Sequence, residues 1–336
     1  MKRRPLFVAG IAAAVIAALF FGPPPNAQAQ REPGAPKKAV RIGVLYPGAD
    51  NAVFRGNFEG FRETLAASGY VEGRNLTLDV RTGDGRELAR LAGELAKTQP
   101  DLLFAVARPA TITIHATTST IPVVALDLES DPVASGFVKT LPRPGGNVTG
   151  VFMDFPELAG KWLEILKGTV PALTRVAVLW DPATGPAQLD AARRAAQILN
   201  LTLHAVEART TAEIDGAFRD AMRERPNGMI VLTSPILNSG RRSIIELAAR
   251  QRLPTLMPFP GYAHDGGLVA YGPDVKNMYA QAATLATKIV GGQPPALTPV
   301  ERPTRFMLSF NLKTARALGI TIPPTLLARA EDVIDQ

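Results

Sequence analysis

The sequence predicts an α/β protein built as two doubly wound parallel-sheet lobes joined by a hinge. Three observations carry that expectation. Short apolar runs of strand length alternate with amphipathic segments of helical period, the pattern of parallel sheets covered on both faces. The alternation starts again near the middle of the chain with the same order of elements. The two halves also open on the same corner. VLYPGADN (44–51) and VLWDPATG (178–185) are each an apolar run ending in an aromatic ring, then a proline turn, then a helix-like segment.

The first half reads in order. RIGVLY (41–46) is a buried strand. In the following segment (54–69) Phe54, Phe58, Phe61 and Leu65 fall at i, i+4, i+7 and i+11, one face of a helix closed by Gly69. NLTLDV (75–80) is a second strand, and RELARLAGELAK (86–97) a helix with Leu88, Leu91 and Leu95 on its core face. DLLFAV (101–106) is a third strand, followed by the corner ARPAT, and IPVVAL (121–126) is a fourth. The second half repeats this. TRVAVLW (174–180) is a strand, and residues 186–200 form a helix with Leu189, Ala192, Ala196 and Leu199 on one face. LTLHAVEA (201–208), a helix over 211–224, and NGMIVLT (227–233) with its corner SPILN complete the set.

Two glycine-rich stretches are the expected hinges. PRPGGNVTGVF (142–152) contains Gly146 and Gly150, and GGLVAYGPD (266–274) contains Gly272. A helix over 277–290 then returns to the first lobe, ahead of a strand at 305–310 and a short helix at 311–319. The expected division is residues 41–148 plus about 274–336 for lobe 1, and 149–273 for lobe 2, with the lobe that holds residues 300–336 left open by the sequence.

The N-terminus has a separate grammar. MKRR is a basic start, residues 5–21 an apolar run, and Ala27-Gln28-Ala29 a small-x-small cleavage pattern. This predicts a secretory signal peptide over residues 1–29 and a flexible lead-in over 30–40. No cysteine follows the run to carry a lipid anchor, and the chain of 336 residues has no cysteine at all. Disulfides, thiolate metal sites and cysteine nucleophiles are thereby excluded. The three histidines, His115, His204 and His264, are too far apart in sequence to predict a zinc site. Cleavage removes Lys2, Arg3 and Arg4, leaving 34 cationic against 30 acidic side chains, a formal charge of +4. Those charges form no basic stripe with stacking aromatics, so no nucleic-acid partner is expected.

In an open parallel sheet, ligands bind beyond the carboxyl ends of the strands. Tyr46 and Arg108 stand at that edge of lobe 1, and Trp180, Asp181 and Ser234 at that edge of lobe 2. They form the two jaws of an expected cleft. Arg108 has the fork geometry to grip a carboxylate, or it pairs with the acidic stretch holding Asp127, Glu129 and Asp131. Asp131-Pro132 reads as a helix N-cap or as an ammonium ligand, and Asp181-Pro182 carries the same two readings. Tyr46 and Trp180 sandwich a flat ligand or pack at strand ends. Phe259 and Tyr271 complete the candidate set. No GxSxG elbow, Walker A loop or GxGxxG motif is present, so no catalytic residue, metal or cofactor is expected.

Several motifs, RIGVLYPG, GYVEGRNL, STIPVVALDLESDP, RPGGNVTG, VAVLWDP, YGPD and NLKTARALGITIPPTLL, resemble in order the substrate-binding proteins of ABC transporters, in the tryptophan/tyrosine-type group. The resemblance covers about residues 40–334 and implies a type I periplasmic-binding fold. It implies capture of a small polar, carboxylate-bearing ligand, with aromatic amino acids among the candidates. It further implies a monomer in the periplasm that delivers to an ABC permease in the inner membrane. At one corner the chain departs from the family, which has Thr-Pro-Ala where Arg108-Pro109-Ala110 stands here. The alternatives are a periplasmic sensing module for a membrane receptor and an exported α/β hydrolase.

Overall fold

A computed structural model describes residues 38–335, save 84, 128–130 and 154. The expected signal peptide, most of the lead-in and Glu129 lie outside the described residues. The first lobe begins with β1 (Val40–Tyr46), α1 (Ala52–Ala67), β2 (Leu76–Thr82), α2 (Leu88–Lys97), β3 (Leu102–Val106), α3 (Ala107–Thr117), β4 (Val123–Asp127) and β5 (Val148–Phe152). These five strands form one parallel sheet in the order β2-β1-β3-β4-β5. Alternate side chains serve its two faces. Ile42, Val44, Phe104 and Val124 join the larger core on the α1 side, while Leu45, Leu103, Ala105 and Val123 pack with α2 and α3.

The second lobe takes α4 (Phe155–Thr169), β6 (Arg175–Trp180), α5 (Ala187–Leu199), β7 (Thr202–Glu207), α6 (Ile214–Arg223), β8 (Gly228–Val231), α7 (Pro235–Ser239), α8 (Arg241–Arg250), β9 (Thr255–Met257), α9 (Gly261–His264) and β10 (Val269–Pro273). The chain then gives α10 (Val275–Val290) back to lobe 1, where it packs along α1. Phe58 and Phe104 both meet Tyr279 of this helix edge-on, at 6.3 and 5.7 Å between ring centroids. Finally β11 (Phe306–Asn311), α11 (Leu312–Leu318), α12 (Pro324–Leu327) and β12 (Asp332–Ile334) close the chain.

This last segment corrects the expected division. The second sheet runs β12-β11-β10-β9-β8-β6-β7, so residues 306–334 belong to lobe 2. The cause is an antiparallel ladder, Val269↔Phe310 to Pro273↔Phe306, which the local sequence does not announce. The stretch read as a hinge at 142–152 contains β5, which completes sheet 1, so lobe 1 extends to Phe152. Gly146 lies before that strand and not at a crossing.

The chain crosses between lobes three times, after β5, after β10 and before β11. The crossings are joined by backbone bonds. Glu301 N–H donates to Gly150 O (2.9 Å), Phe152 N–H to Glu301 O (3.0 Å), and Asp274 N–H to Arg305 O (3.0 Å). Gln281 of α10 grips the third crossing from the side, donating to Arg302 O and accepting from Thr304 N–H, both at 3.2 Å.

In the strands that lead into the first two crossings, two glycines lie tight against the neighbouring backbone. A Cβ on Gly150 would lie 2.0 Å from Ala125 O, and one on Gly272 1.8 Å from Pro258 O. Gly150→Ala and Gly272→Ala should each destabilise the fold by about 2 kcal/mol or more, as forced overpacking does. Gly146→Ala faces open space and should stay within about 0.5 kcal/mol of wild type. Calorimetric unfolding of the three variants checks this; an unshifted midpoint for Gly150→Ala would show that the sheet yields there.

Candidate functional site

Parallel strands all leave a sheet on one edge, and all three crossings lie on that edge of each sheet. The carboxyl ends of the two sheets therefore face each other across the hinge, and the loops there line a cleft. Its hinge-side part is a cavity of ≈ 340 Å³. Lobe 1 contributes Asp131, Val133, Leu141 and Phe152, the first crossing Met153, and the start of α4 Phe155 and Pro156. Val300 and Arg302 of the third crossing and Thr184, Ala187 and Gln188 of lobe 2 complete the wall. Apolar surface with a few polar groups at its margins suits a small organic ligand.

Several helical segments begin after strand exits on this edge, and those after β1, β6, β8 and β10 are capped by a side chain. After β1, Asn51 Oδ1 accepts from Phe54 N–H (2.9 Å). After β6, the buried Asp181 accepts from Ala183 N–H (2.9 Å) and caps a 3₁₀ turn, Pro182–Thr184. After β8, the buried Ser234 Oγ accepts from Leu237 N–H (3.0 Å) and caps α7. The helices after β2, β9 and β3 start without one, and the start after β3 carries an arginine. Val106 stands at the cap position of α3 and has no side chain that can accept. The next residue, Ala107, has φ +62°, an uncommon conformation for a residue with a Cβ. Arg108 follows, its Nε buried and without a hydrogen-bond partner. An uncapped helix start beside a guanidinium is an electropositive corner.

The other expected site residues fall as follows. Asp131 lines the cavity, and its Oδ1 accepts from Val133 N–H (2.8 Å) and Ala134 N–H (3.1 Å). Tyr46 is half-buried and stacks on Phe54 at 4.2 Å. Burial raises its phenol pKa, and the charge of Arg241, from lobe 2, pulls the other way. Trp180 is half-buried at the end of β6, its Nε1 buried and unpartnered. Phe259 stands behind the cavity wall, edge-on to Phe155 at 6.2 Å. Tyr271 lies within β10, stacked on Phe306 at 6.0 Å and near the charges of Lys161, Glu331 and Arg329 rather than in the cavity wall.

Sequence reasoning did not find Gln188, Phe155 or Arg302. Gln188 is buried and holds the β8 exit at both ends of its amide: Nε2 donates to Thr233 O and Oε1 accepts from Thr233 N–H, each at 3.1 Å. Its only signal was a position in the first turn after a predicted jaw. Phe155 and Arg302 become wall residues only once the crossings are in place. Among the described residues no group of three or more His, Asp or Glu side chains converges to hold a metal, and no helix is long and apolar enough to cross a membrane.

A model of the family described as ABC transporter substrate binding protein matches residues 42–334. A tyrosine-binding protein of Clostridioides difficile (strain R20291) is 24% identical over 303 residues, covering 88% of this chain and 85% of its own. The crystal structure of an ABC domain in complex with L-Trp from Streptococcus pneumoniae has a TM-score of 0.79 at 25% identity, covering 88% of this chain and 100% of that one. A conserved domain protein from Vibrio cholerae gives 0.78 at 26%, with coverage of 88% and 100%.

Burial raises the phenol pKa of Tyr46, Tyr271 and above all Tyr279. The neutral phenols are thus favoured in the fold. Their contribution to stability is complete below the ordinary tyrosine value of 10.0 and is lost as pH rises through the folded values. Absorbance titration should show three of the five tyrosines ionising late, Tyr279 only as the protein unfolds, with the melting temperature falling above pH ~10.

Proposed function

The chain belongs to the ABC transporter substrate-binding protein family, with the type I periplasmic-binding fold, and on that premise we propose that it is the extracytoplasmic capture component of an importer. It takes a small carboxylate-bearing ligand of aromatic amino-acid type into the inter-lobe cleft and delivers it to a permease in the inner membrane. Proteins of this family bind ligands and are not enzymes. The basic, apolar and small-residue segments of the first 29 residues support export.

One observation carries the ligand class: the unpartnered Arg108 Nε at the uncapped start of α3. Leaving a buried donor unpaired costs about 1–3 kcal/mol, and a ligand carboxylate would pair with it by a charge-assisted bond. The α3 dipole favours the same charge. The relatives named for tyrosine and crystallised with L-Trp support an aromatic body, and the cavity walls offer Phe152, Met153 and Phe155 to receive one. Bending of the three crossings would close the jaws over the ligand, a hinge movement.

Native mass spectrometry of residues 30–336 as purified, then calorimetry with aromatic and aliphatic amino acids and carboxylates, tests the reading. A co-purified carboxylate or tight binding of an aromatic amino acid is expected. Arg108→Ala should weaken that binding about tenfold or more, the loss of one hydrogen bond to a charged group. A clean apo mass with no heat from any candidate, or undiminished binding by the variant, would overturn it.

A further inference from the structure

The three crossings are not shared equally between the lobes. From Thr298 to Thr304 the ties of the third crossing run to lobe 1. Thr149 Oγ1 of β5 donates to Thr298 O at 2.8 Å. Val300 N–H donates to Leu141 O (2.8 Å), one cavity wall residue to another, and Glu301 N–H to Gly150 O (2.9 Å). From α10, Gln281 holds Arg302 O and Thr304 N–H, each at 3.2 Å. Asn277 Oδ1 of the same helix accepts from Thr304 Oγ1 at 3.3 Å, and Lys288 pairs with Glu301 at 3.3 Å. Toward lobe 2, Arg302 faces Glu157 of α4 at 4.0 Å, and both side chains are exposed. Such a pair holds weakly in water.

The allegiance changes within two residues. Phe306 pairs with Pro273 and opens the antiparallel ladder of lobe 2, its ring stacked on Tyr271. The second crossing turns at Asp274. Its N–H donates to Arg305 O and prolongs that ladder. Its Oδ1 accepts from Asn277 N–H (3.1 Å) and caps α10 of lobe 1, while its Oδ2 lies 3.5 Å from Arg305 Nε. In the first crossing Phe152 N–H is tied to Glu301 O, and Phe155 begins α4 in lobe 2. The link between them runs through Met153.

We propose that the third crossing moves as part of lobe 1, and that the lobes turn about Met153, Asp274 and the Thr304–Arg305 peptide. Hinges of this kind are a few residues at element ends that absorb the change in φ and ψ. The inference narrows the hinge movement proposed above to these points and holds for any ligand. Its consequence falls on the cavity. Val300 and Arg302 stay fixed against Leu141 and Phe152, so lobe 1 keeps this half of the wall assembled whether the cleft is open or closed. Phe155, Thr184 and Gln188 travel with lobe 2 and complete it.

The chain contains no cysteine, so introduced pairs joined by a short bis-thiol reagent test this directly. Asn277→Cys with Thr304→Cys ties the third crossing to α10, and Glu157→Cys with Arg302→Cys ties it to α4. Nitroxide labels on p-acetylphenylalanine, placed at the exposed Ile112 of lobe 1 and Ile198 of lobe 2, report the interlobe distances of the ligand-free chain by electron–electron double resonance. The 277–304 link should leave the width of the distance distribution unchanged, and the 157–302 link should narrow it by about half or more. Each protein is measured before and after linking, so effects of the substitutions themselves cancel. Narrowing by the 277–304 link with none from the 157–302 link would assign the third crossing to lobe 2 and overturn the proposal. Equal narrowing by both links, or by neither, would overturn it as well. None of these results touches the ligand reading, which the calorimetry above decides.

Discussion

The rest of the molecule depends on the backbone bonds that bind the third crossing to the other two. Glu301 lies along β5 as an extra rung, and Arg305 is tied to Asp274 where β10 ends. These bonds leave few unsatisfied peptide groups in a region with no regular sheet of its own. They also fix which edges of the sheets meet. Since every parallel strand points its carboxyl end to the same side, joining the sheets there gathers the loops after β1, β3, β4, β6 and β8 around one space. The cavity is a consequence of the joint: residues in or flanking the first and third crossings, Phe152, Met153, Phe155, Val300 and Arg302, form much of its wall.

Much of the fold was legible because its core strands are uninterrupted apolar runs and its helices carry clean stripes. The Phe54, Phe58, Phe61 and Leu65 face of α1 is buried as its spacing predicts. What the sequence hid follows from glycine and from distance. β5 carries Gly150 and follows Gly145-Gly146, and β10 carries Gly272, so both read as loops, although the glycines are there to let two backbones approach. The lobe that receives β11 is decided by its pairing with β10, an antiparallel match between strands in separate parts of the chain. No periodicity within either strand encodes it.

The candidate site divides in the same way. Strand exits were identifiable from corners, and the residues named there do lie at exits. Their roles are another matter, because Asp and Ser at such corners serve equally as caps and as ligands. Asp181 and Ser234 are occupied as caps, and Asp131 caps a turn while also facing the cavity. The contrast with α3 is informative. At the uncapped start of α3, an arginine stands in the first turn with a donor unpaired. Gln188 escaped notice because a glutamine in a helix has no signature, and its partner, the Thr233 peptide, belongs to a different strand.

The interleaving of the lobes bears on how the chain acquires its shape. The aromatic face of α1 is covered by α10, whose Tyr279 meets Phe58 and Phe104, yet α10 follows almost the whole of the second lobe. β11 and β12 arrive later still to finish the second sheet. Neither lobe can seal its core from one continuous stretch, so both close only through contacts of long sequence separation, which form slowly. A nascent chain of this design stays incompletely folded until nearly its last residues have emerged. A truncation that removed only the final two strands would thus leave the second sheet open at β10.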